Sequence, residues 1–333
     1  ARIYRRFTRG FGHGTRWPSQ SVWLAKRNGK KGGAMLSGKR KALWAVDPQG
    51  TDKDFQLQVG KSVSQLMEGT AVEIEPVAIL PCQISEEIRV EKQNLVESWM
   101  NEAAFPNVSS PVFLAQPSFS TQSAIHALLD YADEREVELI AVGTHSKQAL
   151  ERFFVGSFAE TLVLASVYPV FLVSPHNQQN LKKDRILFPT DFSEKSHIVF
   201  EKLLPTALEK HAKVVLFHKT PVEVPPPVFG FDPIPVYEVF LAQDKKEKEK
   251  LAETWREEAF RQGVEVEILF HDLPGYPVDA ILSNALSQRC GMIALASESG
   301  ATAATLLGSM SRQIMRHAPC PVWILHPAEK RVN

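Results

Sequence analysis

Long apolar runs are missing from this 333-residue chain. None reaches the roughly 18 residues that a membrane-spanning helix needs, so no membrane partner is expected. Cysteine is scarce. Cys82, Cys290 and Cys320 stand far apart and in no paired spacing, which argues against a disulfide framework or a zinc knuckle and points to a reducing, cytoplasmic setting. Net charge is missing too: Lys plus Arg and Asp plus Glu both total 38, so no global field draws the chain toward nucleic acid. The phosphate-loop pattern Gly-x4-Gly-Lys-Ser/Thr does not occur, and with it goes the usual basis for ATPase chemistry. Nor does the sequence display an activated nucleophile, a metal-ligand cluster, a general-base pair, a paired-His synthetase signature or a Ser-Gly-Gly pyrophosphatase loop. What remains is 44% hydrophobic and 23% charged, enough for two ordinary domains of about 150 residues each.

Charge is nevertheless unevenly spread. Residues 1–34 carry Arg2, Arg5, Arg6, Arg9, Arg16, Lys26, Arg27, Lys30 and Lys31 and no acid, which leaves the rest of the chain acidic. Transit peptides and nucleic-acid arms share this composition. Because position 1 is not Met and the ordered pattern starts just after Met35, the segment reads as a basic leader, disordered or non-native.

Self-comparison then divides the chain. A stretch opening at Ala141-Val142-Gly143 reaches Gly156-Ser157, runs through a helical pattern and closes on Pro169-Val170-Phe171-Leu172-Val173. A second, opening at Ile293-Ala294-Leu295-Ala296, reaches Gly308-Ser309 and closes on Pro321-Val322-Trp323-Ile324-Leu325. Upstream of each lies a short apolar run closed by an aspartate, Ala42 to Asp47 and Ile186 to Asp191. The polar stretch 176–184 is the linker, giving a first domain over 35–175 and a second over 185–328.

Within each copy, short β-rich runs alternate with helical patterns. The second copy shows strands at Ile186–Phe188, Val214–His218, Val264–Phe270, Met292–Ala296 and Val322–Leu325, with helices near 194–211, 237–262, 278–288 and 309–317. In the second of these helices, from Lys245 to Glu258, Glu and Lys recur three and four apart, as on a solvated helix face. The first copy shows helices near 86–104, 121–136 and 157–166. This alternation implies an α/β class with a parallel sheet covered by helices on both faces. Ligands of such sheets bind beyond the carboxyl ends of the strands.

Asp47 and Gly143 fall at two such ends. After Gly143 come Thr144-His145-Ser146, nine residues, and then Gly156-Ser157 at a helix start. Glycines let backbone N–H groups turn toward an anion, a helix start adds its positive end, and an aspartate suits a ribose hydroxyl or an adenine amino group. The parts describe a nucleotide cradle. Alternatives stand beside it. Ser157 with Glu160 also fits a capping box, Asp47 an ordinary loop aspartate, His145 an exposed loop residue and Lys147 a solvated charge.

The pattern Gly143-x2-Ser146-x9-Gly156-Ser157 resembles the Gly-x2-Gly-x9-Gly-Ser/Thr ATP loop of the universal stress protein family. Pro169-Val170-Phe171-Leu172-Val173 is similar to that family's last strand, and Ile186-Leu187-Phe188-Pro189-Thr190-Asp191-Phe192-Ser193 to its opening strand. The resemblance covers about residues 40–327. It implies two tandem flavodoxin-like, adenine-nucleotide-binding domains, each a five-stranded parallel sheet. It implies ATP, with Mg as an accompanying ion, as the ligand. Asp47 would contact adenine or ribose, Val142 and Gly143 would line base and sugar, and Ser146, Gly156, Ser157 and Phe158 would hold phosphates. It implies also that the terminal strands Val170–Val173 and Val322–Leu325 pair the two copies inside one chain, with a homodimer as a further level. The chain departs from the family at Ser146, where serine in place of glycine costs on the order of 1 kcal/mol if the position needs positive φ, and at Ala45-Val46-Asp47-Pro48, where the family often has Pro-x-Asp.

The second copy keeps Pro189, Asp191, Gly308 and Ser309 as a second candidate site. Between them, Ala296-Ser297-Glu298-Ser299-Gly300 replaces the first loop glycine and is one residue shorter. Glu298 would repel a phosphate unless a cation intervened, while Arg312, standing where Glu160 stood, would attract one. The expectation is a degenerate second site and one ATP per chain. The run Pro221 to Pro235 suits a surface loop, or a lid or partner segment. His218 and His271 end strands, and two histidines without a third ligand make a poor metal site. The leading reading is an ATP-binding stress-response regulatory protein without committed turnover. A slow ATPase and a nucleotide-independent interaction scaffold are the alternatives.

Overall fold

The computed structural model describes residues 40–48, 52–144, 157–178, 181–220, 234–297 and 308–327. The basic leader, His145, Ser146, Lys147, Gly156, the proline run up to Pro233 and Glu298 lie outside the described residues. The first half reads β1 (Lys41–Val46), α1 (Lys53–Met67), β2 (Glu73–Pro81), α2 (Glu86–Ala103), β3 (Val112–Gln116), α3 (Thr121–Asp133), β4 (Val137–Gly143), α4 (Ser157–Ala165) and β5 (Val170–Val173). The second reads β6 (Lys182–Pro189), α5 (Glu194–Glu209), β7 (Lys213–Lys219), α6 (Ile234–Arg261), β8 (Val266–His271), α7 (Pro277–Ser287), β9 (Cys290–Ala296), α8 (Ser309–His317) and β10 (Val322–Leu325).

The strands form one 10-stranded sheet in the order β3-β2-β1-β4-β5-β10-β9-β6-β7-β8. Each half is parallel throughout, and β5 and β10 run antiparallel, with Phe171 beside Trp323. This is the expected α/β architecture, two tandem flavodoxin-like domains. Most strand interiors are apolar because both faces are covered, with Glu75 in β2 a buried exception. One face packs Trp44, Phe188 and their neighbours under α1, α2, α5 and α6. The other packs Leu43, Leu187 and their neighbours under α3, α4, α7 and α8.

Two elements differ from the sequence reading. Helix α1 was not among those expected, because Gly60 blunts its pattern. The glycine is there for Trp44: a Cβ on residue 60 would stand 2.4 Å from the Trp44 ring and 2.8 Å from Phe105. A mid-helix glycine costs about 1 kcal/mol, less than displacing a fully buried indole. Strand β6 begins at Lys182 inside the expected linker, its amide donating to the Arg289 carbonyl at 2.8 Å.

Register makes the halves comparable residue by residue. Leu43 lies beside Ile140, the middle residue of β4, and Leu187 beside Ile293, the middle residue of β9. Leu43 and Leu187 are therefore equivalent, and so are Asp47 and Asp191. Leu43 also lies beside Glu75, and Leu187 beside Val215. By the same count Val77 corresponds to Phe217.

Candidate functional site

Strand order reverses at β1 and β4: from β1 the chain crosses outward to β2, from β4 the other way to β5. Beyond the carboxyl ends of these strands, where such sheets leave a crevice, lies a cleft of about 270 Å³. Asp47, Val142, Gly143, Ser157 and Phe158 all line it. Ser146 and Gly156 are outside the described residues. The floor follows from the pleat. Ala45 pairs with Val142 and with Val77, and side chains two apart share a face, so Ala45, Asp47, Val77, Ile79 and Val142 line one surface.

Asp47 is exposed at the rim, and its amide donates to Oε1 of buried Gln56 at 3.3 Å. Gly143 has a packing role beside the one expected. It is not a positive-φ residue, and a Cβ there would stand 2.6 Å from Phe55 and 3.3 Å from Val59. The glycine lets α1 lie against the strand end. Counting from the helix caps Asp52 and Ser193, Phe55 corresponds to Ser196, and in that half Ala296 replaces the glycine. Gly143→Ala should therefore cost about 1–3 kcal/mol, and most of that cost should vanish in a Phe55→Ala background. A double-mutant cycle by urea unfolding checks this.

Ser157 is the first helical residue of α4. Its expected capping partner is engaged elsewhere: the Glu160 carboxylate lies 2.8 Å from Nε of Arg312 in α8. That distance makes an ion pair, although Nε is not aligned as a hydrogen-bond donor. The capping-box alternative thus loses its acid, and the Arg312 charge is met by Glu160 instead of reaching for an anion.

Sequence reasoning missed several lining residues, among them Gln56, Val77, Gln116 and Phe119. Gln116 is 7% exposed, and its Oε1 has no hydrogen-bond partner among the described residues. The signal was a polar residue closing an otherwise apolar strand.

The second candidate site is built differently. Pro189 ends β6, Gly308 caps α8 and Ser309 opens it. Asp191 Oδ1 accepts from the Ser193 amide at 2.9 Å and from Ser196 Oγ at 2.7 Å. Burial pushes this carboxyl up, but the Ser196 and Ser193 hydrogen bonds outweigh it and hold the group below the usual carboxylate range. The Asp191 carbonyl accepts from Lys248 Nζ at 2.8 Å. Phe192, at φ 58°, sets its ring among His218, Trp255 and Phe270. His218 Nδ1 bonds the Thr190 carbonyl at 2.8 Å, and His271 packs beside Phe217. Among the described residues no group of three or more His, Cys, Asp or Glu is placed to hold a metal, and no helix is long and apolar enough to cross a membrane.

The model of the universal stress protein family matches residues 120–174 and 183–326. The first segment includes Val142, Gly143, Ser157 and Phe158; Asp47 and Gln116 precede it. A relative from Thermus aquaticus, described as the universal stress protein in the QAH/OAS sulfhydrylase 3'region, is 33% identical over 102 residues, 29% of this chain and 74% of its own length. Among solved structures, a universal stress protein from Archaeoglobus fulgidus DSM 4304 superposes with a TM-score of 0.56 at 18% identity, covering 86% of this chain and 98% of that one. A putative universal stress protein from Pseudomonas aeruginosa UCBPP-PA14 gives 0.57 at 14% identity, covering 86% and 93%.

Proposed function

The chain belongs to the universal stress protein family, and we propose that it is a stress-response regulatory protein that binds one adenine nucleotide, ATP, in the cleft of its first half. One observation carries the reading: residues far apart in sequence, Asp47, Val142, Gly143, Ser157 and Phe158, to which the family resemblance gives nucleotide contacts, line a single cleft at the switch point of the sheet. Its volume, about 270 Å³, is near the small end for ligand clefts and suits a nucleoside with its phosphates directed outward. Asp47 takes a ribose hydroxyl, Val142 and Val77 pack on the base, and the start of α4 at Ser157 faces the phosphates with the positive end of its dipole. Ser146 and Gly156 complete the phosphate loop, and a Mg ion bound with ATP would be held through the phosphates. The halves work as a pair within one chain, joined along β5 and β10, in the cytoplasm. The second half serves that pairing and leaves its own site empty, since its aspartate is committed to the turn.

Calorimetric titration with ATP tests the assignment. Asp47→Ala should weaken binding by about tenfold or more, the scale of one hydrogen bond to a charged group. Equal affinity in the variant would remove Asp47 from the site, and no binding by the wild type at millimolar ATP would remove the nucleotide.

A further inference from the structure

Gln116 closes β3, and its main-chain oxygen accepts from the Cys82 amide at 2.9 Å, which fixes the backbone from which its side chain enters the cleft. That side chain is more than nine-tenths buried, it lines the cleft, and its Oε1 meets no donor among the described residues. Folded proteins keep few buried amide oxygens unmet, because such a group has lost water and gained nothing in return. None of the described residues of the surrounding wall, Gln56 and Thr121 included, supplies the missing donor. Val77, Ile79 and Ala124 are apolar, and Ser120 Oγ is engaged with the Ser123 amide at 3.1 Å and with Ser118 Oγ at 3.0 Å.

Position gives the amide a task. Strand β3 lies two places from β1 in the sheet, roughly 9–10 Å across, so Gln116 stands on the far side of the cleft from Asp47. A flat base resting over Val77 and Ile79, with its sugar toward Asp47, turns its outer edge to Gln116. A carboxamide offers an acceptor and a donor side by side, the complement of an exocyclic amine next to a ring nitrogen, as in the pairing of glutamine with adenine.

Resting on the nucleotide reading above, we infer that Gln116 is the base-reading residue of the cleft: Oε1 accepts from the 6-amino group of a purine while Nε2 donates to the neighbouring ring nitrogen. The site therefore takes 6-aminopurine nucleotides. The inference deepens the assignment from a nucleotide to a particular edge of its base, and it places specificity on a residue that holds neither sugar nor phosphate.

The test compares ATP with purine riboside triphosphate, which carries hydrogen in place of the 6-amino group, on the wild-type protein and on Gln116→Met, by calorimetry. Wild type should bind ATP about tenfold or more tighter than the analogue, the scale of one buried hydrogen bond with its unmet partner. Gln116→Met should bind the two within about twofold, chiefly by losing affinity for ATP. Equal affinities in wild type, or an undiminished preference in a folded Gln116→Met, would overturn the inference while leaving the nucleotide site in place. Should the variant melt early, the wild-type comparison decides alone. Failure of both triphosphates to bind wild type would instead overturn the reading on which the inference rests.

Discussion

Val77→Phe weakens nucleotide binding in the first half by about a hundredfold and leaves the fold standing. Val77 is fully buried in the floor of the cleft, next to Ala45 in the parallel register of β1 and β2. Its counterpart in the second half is Phe217, 1% exposed and packed among Val215, Leu295 and their neighbours. The same sheet position thus already accommodates a benzyl group in this architecture, so a ring at residue 77 has somewhere to go, and that place is the cleft. A ligand would have to expel it. Displacing a packed ring costs about 2–3 kcal/mol on the scale of overpacking energies, which corresponds to a loss of about a hundredfold in affinity. The reciprocal change, Phe217→Val, does not open a second site, because Asp191 remains bonded to Ser193 and Ser196. Calorimetry with ATP and a thermal melt on each variant read both halves of the expectation. Unchanged affinity in a folded Val77→Phe would show that the base lies elsewhere.

Lys41→Met costs the first half about 3 kcal/mol, and Lys41→Met with Glu75→Val recovers most of it. Glu75 is a carboxylate in a central strand with 5% exposure. Lys41 ion-pairs with it directly and reaches Glu73 at 3.9 Å; the Tyr131 hydroxyl donates to its other oxygen at 2.7 Å. Burial, then Glu75 itself, push that hydroxyl above the ordinary tyrosine range, and the Arg135 guanidinium covers its ring at 3.4 Å. Removing the lysine strands a buried charge, which typically costs about 3–5 kcal/mol, whereas replacing a whole pair by apolar residues is often neutral. Partial exposure of Lys41 places the loss at the low end of that range. The second half already shows the apolar solution, with Val215 at the equivalent position and Arg185 paired to Glu267 across the sheet edge at 2.7 Å. A loss of this size lowers the melting midpoint by about 6–10 °C for a chain of this class. A single variant as stable as wild type, or a double variant worse than the single, would contradict the account.

Much of the fold was legible because burial on both faces writes parallel strands as plain apolar runs. Ile186-Leu187-Phe188 and Val214-Val215-Leu216-Phe217 carry no polar interruption, and Ala42 to Val46 repeats the first of them in the other copy. Helix α1 was not legible. Gly60 answers to the Trp44 ring, and that contact exists only after the helix has been laid on the sheet. At the cleft, Asp47 and Gly143 stood out because they close strands, but the sequence did not show that the glycine also makes room for Phe55. Gln56 gave no signal and Gln116 only that of a polar residue closing β3, because their meaning comes from the pleat and from a register across strands far apart in the chain. The Glu160–Arg312 pair needed the antiparallel meeting of β5 and β10, which no local pattern contains. In the second half, the motif most like the family's opening strand spends its aspartate on a turn. Only hydrogen-bond partners reveal that.

The central claim is one adenine nucleotide per chain, held by the first half. Native mass spectrometry of the full chain in millimolar ATP tests it most directly. The account predicts a mass increase of a single nucleotide per chain, with a smaller bound fraction in Val77→Phe. A chain that takes up two nucleotides, or none, would contradict it.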